Sequence, residues 1–141
     1  MERSVHDNML VSYMVDCQNL SITLHTIFQD KEPWEYTDVI FTGVVGHQFH
    51  HVLECNILFD VTEVSSQKIV TEHQTLLADS WKWGWPAVEY EGDLERLNAA
   101  LVERKIKGYL VQSSFGCHGW VLAEKCERIS RNMVKVFTKS S

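Results

Sequence analysis

From Asn8 to Val64 the chain repeatedly alternates apolar and polar positions with a period of two. "NMLVSYMVDC" puts Met9, Val11, Tyr13 and Val15 on one side and Leu10, Ser12 and Met14 on the other. "LSITLHTIF" sets Leu20, Ile22 and Leu24 against Ser21, Thr23 and His25. Two such runs joined by the turn formers of "DCQN" predict a hairpin. A polar break, "QDKEPWE", follows, and its Pro33 opposes continuing a strand. "YTDVIFTGVV", "HQFHHVLE" and "NILFDVTEV" then read as a third, fourth and fifth strand.

The period changes after Val64. Ser65 or Ser66 can cap a helix along which Ile69, Leu76, Leu77 and Trp81 recur at helical spacing, with Gly84 and Pro86 as the stop. A second helix is predicted from Asp93, with Leu94, Leu97 and Leu101 as its apolar stripe and Gly108 beyond its end. "GYLVQSS" and "GWVLAEKCE" predict two more strands around the loop "SFGCHG". The stretch 130–141 is either a last strand or frayed. Strands first, then two helices, then strands again predict an α+β domain. Its mostly antiparallel sheet of about seven strands carries two helices, inserted late in the chain and packed on one face.

Length and charge narrow the class of protein. The 141 residues suit one domain, 1–141, since a chain of that size buries about two-thirds of its extended surface. Hydrophobic residues make up 45% and charged residues 23%, a composition that folds. The net charge of -6 repels a nucleic-acid backbone or an anionic membrane surface and favours a basic partner. No apolar run is long enough to span a bilayer, and "MERSVHDN" is no secretory signal, so a cytoplasmic protein is expected. Cys17, Cys55, Cys117 and Cys126 are widely spaced and form no C-x-x-C pair, the pattern of reduced thiols rather than of a zinc or disulfide framework.

Four stretches carry candidate chemistry. "HQFHHVLEC" offers His47, His50, His51 and Glu54. Between strand-like runs it reads as extended, which leaves His47 and His51 about 13 Å apart and His50 on the other side, too scattered for one tetrahedral metal unless a neighbouring strand adds a ligand such as His25. No metal and no cofactor are therefore expected. "SSFGCHGW" sets Cys117 beside His118, a nominal nucleophile and base, but consecutive side chains diverge and a hairpin loop explains the stretch. Asp38 and Asp60 are strand carboxylates that would serve as an acid/base pair if they lay side by side, and otherwise belong to a solvated face. In "VHDN", His6 and Asp7 read as a turn, with Asp7 able to orient a distant histidine.

"SWKWGWPAVEYEGD" is the most unusual in composition. Trp81, Trp83, Trp85 and Tyr90 accompany Glu89, Glu91 and Asp93. Some of these rings are expected to close the core under the helix end. The others form a recognition surface in which aromatics anchor and carboxylates select a basic partner.

"SVHDNMLVSY", "ITLHT", "TDVIFTGV", "NILFDVTEV" and "GYLVQSSFGCHGWVLA" together resemble the pattern of a group of small uncharacterised cytosolic α+β proteins over most of the chain, with no reaction attached. By size, charge and class the chain is also similar to bacterial immunity proteins, which neutralise a toxin by binding it. The resulting expectation is a non-enzymatic domain that binds a partner protein, such as a toxin, through Trp83, Trp85, Glu89, Tyr90, Glu91 and Asp93. The alternatives are a small hydrolase or transferase using Cys117 and His118 with Asp38 or Asp60, and a binder of a small ligand within a curved sheet.

Overall fold

The computed structural model describes residues 4–131. The alternating runs form strands β1 (Met9–Asp16), β2 (Ser21–Phe28), β3 (Glu35–Thr42), β4 (Gly46–His50) and β5 (Asn56–Val64). Helices α1 (Ser66–Glu72), α2 (Gln74–Ser80) and α3 (Leu94–Glu103) follow, with a 3₁₀ turn at Trp81–Trp83. Strands β6 (Lys107–Phe115), β7 (His118–Ala123) and β8 (Lys125–Ser130) end the described chain. The fold is α+β, and the described residues form one eight-stranded antiparallel sheet in the order β4-β7-β6-β5-β1-β2-β3-β8. Of the stretch 130–141, Ser130 closes β8, and the rest beyond Arg131 lies outside the described residues. Among the described residues no helix is long and apolar enough to cross a membrane.

The sheet folds over on itself because two of its strands bend together. β3 runs into β4 through Gly43–Val45, and β7 runs into β8 through Glu124 alone. The two bent chains pair along their length, Gly46 with Leu122 on one side of the bend and Thr42 with Lys125 on the other. At the bend the Glu124 N–H donates to the Thr42 and Gly43 carbonyls at 3.0 and 3.2 Å. One half, β5–β6–β7–β4, thereby faces the other, β1–β2–β3–β8. The halves also meet where β1 pairs with β5, but only at Met9–Ile57 and Leu10–Asn56.

Alternation fills the space between the halves. Leu10, Ile22, Leu24, Val39 and Phe41 from one half meet Leu58, Val61, Tyr109, Val111 and Val121 from the other. The Phe41 and Tyr109 rings touch edge to face with centroids 5.4 Å apart. Each fully buried aliphatic side chain contributes about 1.5–3 kcal/mol. Arg128, directly opposite core-facing Val39, reaches across to β5, where its Nη2 donates to the Val61 carbonyl at 2.6 Å and to Asp60 at 3.4 Å.

The residues that alternate outward on β7 face the helices instead. Trp120 and Leu122 join Ile69, Val70, Leu77, Tyr90, Leu97 and Leu101 in a second core. Ser65 caps α1 by accepting from the Lys68 N–H, and Asp93 caps α3 by accepting from the Glu95 and Arg96 N–H groups. The single long helix expected over 65–81 is in fact two, divided at His73 (φ -123°, ψ 34°). The His73 imidazole lies on Trp120, ring centroids 5.3 Å apart, and this contact accompanies the break.

Candidate functional site

The segment from Ser80 to Asp93 is held at both ends and along its middle. The Ala87 N–H donates to the Val45 carbonyl at 2.7 Å, and Arg104 donates to the Ala87 carbonyl at 3.2 Å. Tyr90 donates its hydroxyl proton to the Leu77 carbonyl. Glu91 and Gly92 both have positive φ, and the Asp93 N–H donates back to Tyr90, which closes a tight turn just before α3. At Gly92 a side chain would collide with the indole of Trp81, so glycine there is required by contact as well as by φ.

Within this frame the aromatic residues divide. Trp83, at the end of the 3₁₀ turn, is 78% exposed, and Trp81 is 42% exposed. Gly84, with φ +76°, reverses the chain immediately after the turn and leaves the Trp83 ring projecting. Trp85 is half-buried, its ring 5.6 Å from that of Trp120. Tyr90, expected on the recognition surface, is fully buried and belongs to the second core. Its hydroxyl requires a partner in that apolar setting and finds the Leu77 carbonyl. Asp93 is engaged as the cap of α3.

An open cleft of about 640 Å³ lies beside the exposed rings, lined by Trp81, Gly84 and the stretch 86–91. Between Asp79 and Arg96 the sequence carries five acidic and two basic side chains. Both cations have local partners: Lys82 lies 3.0 Å from Asp79 and 6.0 Å from the Trp83 ring centre, and Arg96 lies 3.7 Å from Glu91. Glu89 is exposed at the cleft without a counter-ion among the described residues. The arrangement presents two indole surfaces within a net acidic field, suited to a partner that brings apolar surface and positive charge together.

The other candidate clusters are dispersed. Gly46–His50 is a strand, and His50 pairs with His118 across β4 and β7. The His51 and His118 rings are 6.3 Å apart. Among the described residues no group of three or more His, Cys, Asp and Glu is placed to hold a metal. Cys117 and His118 diverge, the first buried in the sheet core and the second exposed. Burial pushes the Cys117 thiol up, away from the thiolate a nucleophile needs. Asp38 and Asp60 do not lie side by side: their strands are not neighbours, and each meets a different arginine. His6 and Asp7 face each other at 3.3 Å on the surface.

The sheet register also creates a row that the sequence alone hides. Ser12 stands opposite His25, and His25 opposite Asp38, on three adjacent strands. His25 Nδ1 lies 2.9 Å from Asp38 Oδ1, and Arg131 reaches both. The order serine, histidine, aspartate is that of a hydrolytic triad, but Ser12 has no hydrogen bond to His25 among the described residues. Ser12 sits on exposed sheet, and the five principal clefts are lined by other residues. As it stands the row is an exposed serine beside an ion-paired network in which Asp38 is buried and His25 partly buried. Comparison with protein-family models, curated proteins and solved structures finds no match to this chain.

Proposed function

We propose that the chain is a non-enzymatic binding protein of the immunity or interaction type, acting in the cytoplasm, whose partner is a basic protein such as a toxin. The observation that carries this reading is Trp83, a large apolar ring 78% exposed and next in sequence to Gly84, which lines an acid-edged cleft together with Trp81, Glu89 and Glu91. Aromatic side chains of this kind dominate binding energy when a partner desolvates them. Two features favour binding over catalysis. The thiol offered as a nucleophile is buried, and the two strand carboxylates are apart and each paired with an arginine.

The test is crosslinking capture in the native cell with wild-type chain, Trp83→Ala and the double variant Glu89→Lys/Glu91→Lys. The expected result is one basic protein recovered by wild type and lost from both variants, with unchanged melting of all three. Equal recovery by wild type and variants would place the interface elsewhere. An activity abolished by Cys117→Ala or His118→Ala at unchanged stability would favour the enzyme.

A further inference from the structure

A second, smaller cleft opens on the other side of Trp85, between the tip of the β1–β2 hairpin and β4. Its volume is about 210 Å³. Val15, Leu20, Ile22, Val44, Val45 and Trp85 supply its apolar wall, and His47 is its only imidazole. The opening exists because β1 leaves β5 after Leu10 and because the chain bends between β3 and β4. Neither feature shapes the cleft lined by Trp81 and the stretch 86–91, with which this one shares only Gly84 and Ala87.

Three properties of the cleft define what fits. A cavity of about 150 Å³ holds one benzene ring, so this space takes a single ring with a small substituent and excludes a nucleotide or a fused polycycle. Among the described residues no lysine or arginine lines it, and the carboxylate that does, Asp16, opposes an anion. The His47 imidazole has no hydrogen-bond partner among the described residues, although its ring packs 5.4 Å from Phe49. The imidazole is only half-buried, so a ligand hydroxyl can take the place of water at its accepting nitrogen. Burial holds His47 below the ordinary histidine value, so the imidazole is neutral at pH 7 and offers an accepting nitrogen.

We propose that this cleft is a binding site for a small neutral aromatic ligand carrying one hydroxyl group, with the ring against Trp85 and the aliphatic wall and the hydroxyl donating to His47. The inference does not rest on the protein-partner reading: the clefts share only Gly84 and Ala87, and neither Trp83, Glu89 nor Glu91 lines this one.

The probe is p-cresol, titrated into the full chain and followed by calorimetry and by the His47 ring resonances. Saturable one-to-one binding is expected at about 1 mM or tighter, with toluene bound about tenfold more weakly and benzoate not at all. Val15→Trp, at a half-exposed strand position, fills the cleft and should abolish binding, and His47→Phe should reduce p-cresol to the level of toluene. Ala99→Ser, on exposed α3, is the folding-neutral control and should bind as wild type. If Val15→Trp fails to fold, the His47→Phe comparison and the benzoate arm still decide. Absence of saturation up to 10 mM, benzoate binding equal to p-cresol, or p-cresol affinity unchanged in His47→Phe would each overturn the assignment.

Discussion

Trp83 and Tyr90 lie seven positions apart in one segment, yet their substitutions separate binding from folding. Trp83→Ala removes a solvated ring and should change unfolding free energy by no more than about 0.5 kcal/mol, while weakening a partner that covers it by about 2 kcal/mol or more. Tyr90→Phe should do the reverse. It deletes the donor to the buried Leu77 carbonyl at a cost of about 1 kcal/mol, read from urea denaturation, and leaves binding intact. Sequence showed that this segment was rich in aromatics and acids but not which ring was outside. That division depends on the 3₁₀ turn, the left-handed Gly84 and the helix packing that encloses Tyr90. The Ser12–His25–Asp38 row was illegible for a related reason: it exists only in the β1–β2–β3 register, which local alternation does not encode.

The elements differ in how firmly the molecule holds them. Among the described residues β8 is the last strand of its half, and Arg128 ties it across the core to β5 at Val61 and Asp60. Arg128→Ala should cost about 2 kcal/mol or more, measured by denaturation, because the exposed side of Asp60 can resolvate but the buried fork is lost. β1 is the opposite case. Beyond Leu10 it pairs with β2 alone, while Val11 and Met14 lie more than half exposed. Amide hydrogen exchange should therefore alternate along Val11–Val15, fast where the N–H points away from β2. Helix starts were legible because Ser65 and Asp93 are local caps. The break at His73 was not, since its contact, Trp120, belongs to a strand far along the chain. The bend at Glu124 was also hidden, because "GWVLAEKCE" carries no glycine or proline at it and reads as one strand.

For the molecule as a whole, the α+β class was readable from the change of period at Ser65, whereas the folding of the sheet into two facing halves was not. Two histidines couple that fold to pH. Burial holds His47 low; at His73 burial also dominates, with His50 adding to it and Glu72 opposing. Because the folded chain resists protonating them, the unfolded chain binds more protons below the ordinary value of 6.5. Stability should be full above that value and fall as pH drops from it through the lowered folded values. Denaturation midpoints between pH 7.5 and 5 should show this, with a shallower slope in His47→Phe. The bent strands set a constraint of another kind, in time. Thr42 pairs with Lys125, so β3 leaves the ribosome roughly eighty residues before its partner exists. At about 5–20 residues per second that interval is on the order of 4–16 s. For most of it the apolar face of the nascent β1–β2–β3 meander lacks Tyr109, Val111 and Val121 of β6 and β7, so the period of greatest exposure to chaperones and to misassociation falls during synthesis, before the sheet can close.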